Sequence, residues 1–275
     1  MPSNPHQAQH AHRHSQHGSA LLETLLELDS QVHKALLHEA LDAVASVAPA
    51  DAVRSALDVG AGTGAATFEL SSRYPEAEVI ALDANPAMTR RIAAHAVRVG
   101  NRRVRTVNRP LLEGGLGKES VDLAWASSVF HEFADPAREF ALLAETIRPG
   151  GVLAIMEMDA PPRVLPDEYH SLESRLRHLA HADLARPEWA DQIWAAGFEL
   201  LAKRTIVGDQ ELPGDGPGGA YARAELGRLA RHAGAGLDAR ANATLSQLLG
   251  AQSASTALSR VHIRGSRSLW LARRR

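Results

Sequence analysis

The chain has 275 residues, of which 45% are apolar and 23% are charged, with a net charge of −2 and no cysteine. This composition is ordinary for a globular protein that buries a core, and it excludes disulfides, thiolate metal sites and cysteine nucleophiles. The small net charge gives no reason to expect nucleic acid or an anionic membrane as a partner, and the absence of a run of ~18 apolar residues predicts a cytoplasmic protein.

The first 48 residues divide into a polar tail and a helical segment. Residues 1–18 contain five histidines, which predict a disordered tail of biased composition. A metal-binding tail is the alternative, but no carboxylate or thiolate is present to fix a coordination geometry. Residues 19–48 have apolar positions at helical spacing and predict an N-terminal helical cap of two helices, the second capped by Asp29 and Ser30.

A glycine-rich turn follows the first predicted strand. Residues 56–64 read ALDVGAGTG, so that an apolar run containing Asp58 leads into glycines at every second position, and a helix-forming run begins at Ala65. Glycine suits such a turn because the backbone angles exclude other residues and a ligand can approach the main chain closely. The next strand ends at Asp83, whose carboxylate could accept both hydroxyls of a ribose. This pair of strand ends predicts a cofactor that contains a nucleoside.

The glycine turn is compatible with two classes of cofactor, a dinucleotide such as NAD or S-adenosylmethionine. Gly60, Gly62 and Ala65 fit the dinucleotide fingerprint, which on its own is a weak match. Against NAD, Asp58 stands where a dinucleotide fold usually keeps an apolar residue, and Gly64 tightens the turn and leaves less room for a pyrophosphate. Both features favour a ligand with an ammonium group and a ribose, and S-adenosylmethionine is such a ligand.

Strands and helices alternate regularly along the middle of the chain. Such alternation predicts a parallel sheet with helices on both faces and a ligand at the carboxyl ends of the strands. The predicted strands are 55–59, 78–83, 103–107, 121–126 and 151–157, and the helices between them are 64–73, 86–98 and 136–147. Further along, the pattern predicts a helix at 187–196, a strand at 198–207, helices at 219–234 and 237–249, and a last strand at 268–272.

Several segments beyond the glycine turn carry a family resemblance. They are Glu119–Ala124 with its aspartate at the start of a strand, Val129–Phe133 after that strand, Leu142–Ile155 with its Arg-Pro-Gly-Gly turn, and Ala195–Phe198. With the turn, they resemble class I S-adenosylmethionine-dependent methyltransferases over about residues 50–207. The resemblance implies a Rossmann-like, doubly wound, seven-stranded and mostly parallel sheet with an antiparallel last strand. The methyltransferase domain would span 49–275, with helical inserts at about 163–185 and 215–250.

The resemblance also implies roles for individual residues in S-adenosylmethionine binding. Asp58 would act on the methionine ammonium, Asp83 on the ribose hydroxyls, and Met88 would form a wall for the adenine. The full implied set is Asp58, Gly60, Ala61, Gly62, Gly64, Asp83, Ala84, Met88, Asn108 and Ser127. Asn108 departs from the family pattern, because many members carry an aspartate there that contacts the adenine amino group, whereas an amide oxygen would take that place here.

On the acceptor side, His131 is the candidate catalytic base because it follows the fourth strand and imidazole titrates near neutral pH. The alternative is a histidine that only packs or forms hydrogen bonds beside the cofactor. Glu157 and Asp159 could face the pocket or cap a neighbouring element. The (N/D/S)-P-P-(Y/F/W) motif of nucleic-acid and protein amine methyltransferases is absent after this strand. No aspartate and asparagine set for magnesium is evident, so no metal is predicted.

The predicted function is methyl transfer to a small-molecule acceptor, with O-methylation in secondary metabolism preferred. The alternatives are a peptide or protein methyltransferase, and a regulator that binds S-adenosylmethionine without catalysis. The predicted partner is the small-molecule substrate, with no nucleic acid and no membrane. The C-terminal helices could form the face of a homodimer, but their apolar positions would serve a monomer core equally well.

Overall fold

The computed structural model describes residues 23–114, 116–180, 188–233, 236–250 and 258–275. Within them, seven strands form one sheet in the order β3-β2-β1-β4-β5-β7-β6. The strands are β1 Ser55–Val59, β2 Glu78–Asp83, β3 Val104–Asn108, β4 Val121–Ser127, β5 Ile147–Met158, β6 Phe198–Pro213 and β7 Arg260–Arg274. The predicted tail at residues 1–18 lies outside the described residues.

The helices alternate with these strands along the first two thirds of the chain. They are α1 Lys34–Val47, α2 Ala65–Arg73, α3 Pro86–Arg98, α4 Pro136–Thr146, α5 His170–Leu179, α6 Ala190–Ala195, α7 Pro217–Ala233 and α8 Ala239–Leu249. Side-chain caps explain several of their starts: the oxygens of Asn85, Asp135 and Asp238 accept backbone N–H groups in the first turns of α3, α4 and α8. No helix in the described part of the chain combines the length and apolar character needed to cross a bilayer.

The predicted sheet is confirmed. β1 lies parallel to β2 and to β4, β2 parallel to β3, and β4 parallel to β5, while β7 runs antiparallel to β5. The chain therefore builds the sheet outwards in one direction from β1 to β3 and then in the other from β4. Strand order reverses between β1 and β4, which is where open sheets of this kind form a ligand crevice at the carboxyl ends.

Both faces of the sheet are buried, which is why its central strands are continuous apolar runs. On one face, Ala56 and Trp125 pack with the buried side of α1 and with Leu70 of α2. On the other face, Leu57 packs with Phe130 and with residues of α4 and α6. Because helices cover both faces, the ends of the strands are the part of the sheet that stays exposed.

Some boundaries differ from the sequence prediction. Residues 23–32 are helical, so Asp29 and Ser30 lie inside a helix instead of capping one, and the break falls at His33. The Ser30 hydroxyl donates to the Glu27 carbonyl, 2.8 Å away, as serine commonly does within a helix. β6 and β7 are longer than predicted. The extension of β6 alternates exposed and half-buried residues, and that of β7 places buried Val261 and Ile263 between more exposed residues, so neither extension contains an apolar run to mark it.

β5 also begins earlier than expected, at Ile147, and so includes the residues predicted as a turn. Gly150 has φ +79° within it, and the pairing with β4 shifts register between Val121 and Leu123. This irregularity has the character of a β-bulge, which accommodates one or more extra residues without ending the strand.

The contacts divide the chain into two compact units. One contains residues 34–163, 181–210 and 263–275, and carries α1 and most of the sheet. The other contains residues up to 33 together with 164–180 and 211–262, and is largely helical. Within this helical unit the Tyr221 hydroxyl donates to an oxygen of Asp29 at 3.1 Å, which ties helix α7 to the helical residues 23–32.

Candidate functional site

Three strands of the larger unit end together at the carboxyl end of the sheet. In register, Val59 of β1 lies beside Leu82 of β2 and Ala126 of β4, so the three strands end at nearly the same level. Asp83 is the last residue of β2 and Ser127 the last of β4. Asp83 and Ser127 therefore lie at the same end of the sheet, the end at which such sheets bind ligands.

In the turn after β1, two glycines suit their positions for different structural reasons. Gly60 (φ +66°) has its N–H on the Leu82 carbonyl at 2.8 Å, and a Cβ there would lie 2.5 Å from Cγ2 of Val129. Gly62 (φ +52°) faces open space, because the nearest atom to its Cβ position is 3.9 Å away. Packing within the protein thus explains Gly60, while Gly62 leaves room for a ligand against the main chain.

Asp83 is held against this turn by its own carboxylate. One oxygen accepts the Gly62 N–H and the other accepts the Asn85 N–H, both at 2.8 Å. Each carboxylate oxygen can accept more than one hydrogen bond, so both keep capacity for a hydroxyl. This arrangement fits the binding of two ribose hydroxyls.

Asp58 lies deeper, with only 2% of its surface exposed. The Thr67 hydroxyl donates to it at 2.5 Å, from the first turn of α2. Burial raises the pKa of Asp58 to about 7, with a smaller upward contribution from the Asp83 charge, while the Thr67 hydrogen bond opposes the rise. A cation beside this carboxyl would favour its ionised form, so the site fits an ammonium group.

Asn108, Ala84 and Met88 surround the end of β2 and the start of α3. The Asn108 amide nitrogen donates to the carbonyls of Asp83 at 2.9 Å and Ala84 at 3.1 Å. The amide oxygen is then the group that Asn108 can offer to an amino group. Met88 is 3% exposed, so little of its side chain can line a ligand site.

The segment after β4 is anchored to the core on both sides. Phe130 is fully buried and packs against Phe140 of α4, with ring centroids 4.5 Å apart, and Val129 lies against Gly60 of the glycine turn. Ser128 has φ +52°, unusual for a residue with a side chain, and its hydroxyl accepts from a guanidinium nitrogen of buried Arg267 at 3.0 Å. These contacts place Val129, two residues before His131, against the glycine turn.

The two ring nitrogens of His131 each contact a carboxylate. Its Nδ1 lies 2.8 Å from Oε2 of Glu157, and its Nε2 lies 3.1 Å from Oε1 of Glu132. Glu157 is 4% exposed and also accepts the N–H groups of Val129 and Phe130 through Oε1, whereas the His131 side chain is 45% exposed. The imidazole is therefore half in solvent and held from below by a buried carboxylate, an arrangement that can serve proton transfer.

Of the two uncertain carboxylates, Glu157 caps the 129–130 backbone and contacts His131, while Asp159 accepts the Ser268 hydroxyl at 2.7 Å. Sequence reasoning missed Thr67 and Arg267. Thr67 had a usable signal, since it stands in the first helical turn after the glycines, but Arg267 is 139 residues from its partner. Among the described residues, no cluster of three histidines, aspartates or glutamates could hold a metal ion.

Residues 57–153 match a family model described as a methyltransferase domain. Malonyl-[acyl-carrier protein] O-methyltransferase of Dechloromonas aromatica is 34% identical over 116 residues, 42% of this chain and 38% of that protein. Trans-aconitate 2-methyltransferase of Methylobacterium radiotolerans is 32% identical over 145 residues, 53% of this chain and 49% of that protein. The chain therefore spans about half or less of the curated relatives that it matches.

Among solved structures, a protein assigned as a type II methyltransferase from Anaeromyxobacter dehalogenans has a TM-score of 0.58 and 25% identity, covering 87% of this chain and 95% of that one. The likeness covers nearly the whole of both chains, whereas the family model covers the part with the glycine turn, Asp83 and His131. The methyltransferase domain at residues 57–153 and the fold around it support membership of the class I S-adenosylmethionine-dependent methyltransferases, with S-adenosylmethionine as the cofactor.

Proposed function

We propose that this chain methylates the hydroxyl oxygen of a small molecule such as an alcohol or a phenol. Such a hydroxyl group still carries its proton at neutral pH. The observation that carries this proposal is the His131 imidazole, backed by the buried carboxylate of Glu157 at 2.8 Å and two residues after Val129, which packs against Gly60 of the glycine turn. A hydroxyl becomes a competent nucleophile when a base removes its proton, and a neutral imidazole is suited to that task. The metabolic role of the product stays a prediction.

The cofactor would be held along the strand ends. Asp83 would accept the ribose hydroxyls, Asp58 would stabilise the ammonium directly or through water, and the Asn108 amide oxygen would accept from the adenine amino group. The neighbouring backbone would line the same site, at Gly60, Ala61, Gly62, Gly64, Ala84, Met88 and Ser127. The hydrogen bonds that already fix Asp83 and Asn108 support these roles, because a pre-ordered site loses less entropy on binding.

The bound cofactor supplies a methyl group on a positively charged sulfur. This chain would hold the acceptor oxygen in line with the methyl carbon, which can contribute much of the rate enhancement. Nε2 of His131 would take the hydroxyl proton as the new oxygen–carbon bond forms and the carbon–sulfur bond breaks. The proton would stay on His131 as an imidazolium between the carboxylates of Glu157 and Glu132, with S-adenosylhomocysteine as the second product.

A second candidate is methylation of a carboxylate, which the names of the two relatives favour, since malonyl groups and trans-aconitate are carboxylic acids. A carboxylic acid is already ionised at neutral pH and needs no base. Such an acceptor would make His131 dispensable for proton transfer. Peptide methylation, and cofactor binding without catalysis, also remain outcomes of the test.

The test begins with calorimetric titration of S-adenosylhomocysteine, with NAD as the control ligand. We expect the first ligand to bind and NAD not to bind, and we expect Asp83→Ala to weaken binding at least tenfold. Asp191→Ala, an exposed aspartate of α6, is the matched control and should bind as the unaltered protein does. Binding of NAD instead would contradict the proposal.

Acceptors are then screened as alcohols, phenols and carboxylic acids, with S-adenosylhomocysteine formation as the readout. On a hydroxyl acceptor, His131→Ala should lower kcat by about 10² to 10⁴ while the affinity for S-adenosylhomocysteine stays unchanged. Turnover restricted to carboxylic acids, with kcat unaffected by His131→Ala, would favour the second candidate. No turnover on the panel despite tight cofactor binding would favour a regulator.

A further inference from the structure

Thr67 stands in the first turn of α2, and its hydroxyl contacts a different element. The hydroxyl donates to an oxygen of Asp58, on β1, at 2.5 Å, and the two residues are buried, with 0% and 2% of their surfaces exposed. A threonine hydroxyl within a helix commonly bonds a carbonyl of the preceding turn, as that of Thr146 does with Leu142 at 2.8 Å. The hydrogen bond of Thr67 therefore serves Asp58 and not its own helix.

The other surroundings of Asp58 do little to offset a negative charge. Ala81 of β2 and Trp125 of β4 lie beside it in register, and the Trp125 indole nitrogen has no hydrogen-bond partner in the described part of the chain. Among the same residues, the Thr67 hydroxyl is the one side-chain donor to Asp58. The charged side chains of α1 and α2 pair across the two helices instead: Glu69 with Lys34 and His38, and Arg73 with Asp42.

A hydroxyl that donates to a carboxylate stabilises the ionised form of that carboxylate. Burial raises the pKa of Asp58 to about 7 and the charge of Asp83 adds to the rise, whereas the hydroxyl and the backbone of Thr67 oppose it. The N-terminal end of α2 has no acidic side chain of its own in the first turn, and its partial positive charge also favours an anion there. These contacts all come from the start of one helix.

We propose that Thr67 is a positioning residue of the cofactor site, whose hydroxyl holds the Asp58 carboxylate in the charged form that attracts the ammonium group of the cofactor. This proposal rests on the proposed function, in which Asp58 stabilises that ammonium. Thr67 itself need not touch the cofactor, because it acts through the aspartate.

The test uses Thr67→Val, which keeps the shape of the side chain and the backbone N–H but removes the hydroxyl. Thr67→Ser keeps the hydroxyl and should restore the behaviour of the unaltered protein. Thr146→Val is the matched control, since it makes the same change at a buried threonine whose hydroxyl bonds only within α4. Thr67→Ala removes the hydroxyl with less bulk and replaces the valine variant if that one does not fold.

The first readout needs no cofactor: carbon-13 NMR of the aspartate carboxyl groups in the full chain, titrated with pH. The Asp58 signal is identified by its loss in Asp58→Asn. We expect its midpoint near pH 7 in the unaltered protein, Thr67→Ser and Thr146→Val, and at least about one pH unit higher in Thr67→Val. An unchanged midpoint in Thr67→Val would overturn the inference.

The second readout is calorimetric titration of S-adenosylhomocysteine from pH 6 to pH 9. Thr67→Val should bind about tenfold more weakly than the unaltered protein at pH 7, and the ratio of the two affinities should shrink as the pH rises and both carboxylates ionise. Titration of the ligand itself cancels in that ratio. A ratio that stays constant with pH would show that Thr67 acts through shape alone, against the inference.

Failure of the proposed function has a different signature. If Asp58→Asn binds S-adenosylhomocysteine as tightly as the unaltered protein at every pH, the ammonium role of Asp58 fails and the proposal for the cofactor site fails with it. The carboxyl titration still decides, in that case, whether the Thr67 hydroxyl controls the charge of Asp58.

Discussion

Two aspartates on neighbouring strands have carboxylates in different surroundings. Asp83 is half-buried and accepts two backbone N–H groups at 2.8 Å, which fix its orientation. Asp58 is 2% exposed and takes the Thr67 hydroxyl at 2.5 Å. Burial raises the pKa of Asp58 to about 7, so its charge changes near neutral pH. At the scale of single residues, one aspartate gives the site fixed geometry and the other gives it a charge that depends on pH.

This difference predicts that cofactor affinity depends on pH through Asp58. Above its pKa of about 7 the carboxylate is negative and attracts the ammonium of S-adenosylhomocysteine; below it the protonated group attracts the ammonium weakly. Affinity should therefore fall as the pH is lowered below 7, by up to about tenfold per pH unit.

Calorimetry across this range is the measurement, and Asp58→Asn is its control. The asparagine variant should bind more weakly at high pH and lose the dependence on pH. The same slope in both proteins would assign the dependence to another group.

Among elements, the glycine turn and the segment after β4 are mutually dependent. The side chain of Val129 occupies the space that a side chain on Gly60 would need, and the N–H of Val129 is held by Glu157. A change in the turn would therefore disturb the segment that carries His131. Gly62 lies in the same turn but faces open space, so a substitution there should act mainly on ligand binding.

Two substitutions in this turn should differ in whether they mainly affect stability or ligand binding. Gly60→Ala should destabilise the fold because its Cβ would lie 2.5 Å from Val129 within a close-packed region. Gly62→Ala should cost only about 1–2 kcal/mol of stability, from its positive φ, yet weaken S-adenosylhomocysteine binding at least tenfold. Thermal unfolding and calorimetry on both variants give the comparison. Equal loss of stability in the two would contradict the distinction.

For the molecule as a whole, the sheet links the cofactor site to global stability. Asp58 is part of central strand β1, and Trp125 of β4 lies beside it in register, so its carboxyl is buried between two strands of the core. In the unfolded chain its pKa is 3.8, and in the folded protein it is about 7. The protonated form is therefore the one that the fold stabilises.

This shift predicts a loss of stability as the pH rises. The contribution of Asp58 is fully present below its unfolded pKa of 3.8 and is lost as the pH rises through the folded value of about 7. Asp58→Asn cannot ionise, so its free energy of unfolding relative to the unaltered protein should rise with pH, by up to about 4 kcal/mol across the range.

Denaturant unfolding at acidic, neutral and alkaline pH measures this difference, and Asp51→Asn, at an exposed position, is the control. A difference between Asp58→Asn and the unaltered protein that does not change with pH would contradict burial as the cause.

Local sequence patterns are enough to predict the order of elements, the type of sheet and the residues at the strand ends. These depend on local patterns: apolar runs mark β1 and β2, and alternate glycines mark the turn between β1 and α2. The same reasoning missed the extensions of β6 and β7 and misplaced a cap at Asp29 and Ser30. Those features depend on pairing partners and helix continuity, which leave no periodic signal.

The contacts between the site residues depend on how distant segments of the chain pack together. Glu157 is 26 residues from His131, and Arg267 is 139 from Ser128, yet each pair is in hydrogen-bond contact. The burial that raises the pKa of Asp58 likewise comes from neighbouring strands and helices. The physical reason is that a sequence pattern reports which residues share an element, whereas distances and dielectric surroundings arise when separate elements pack together.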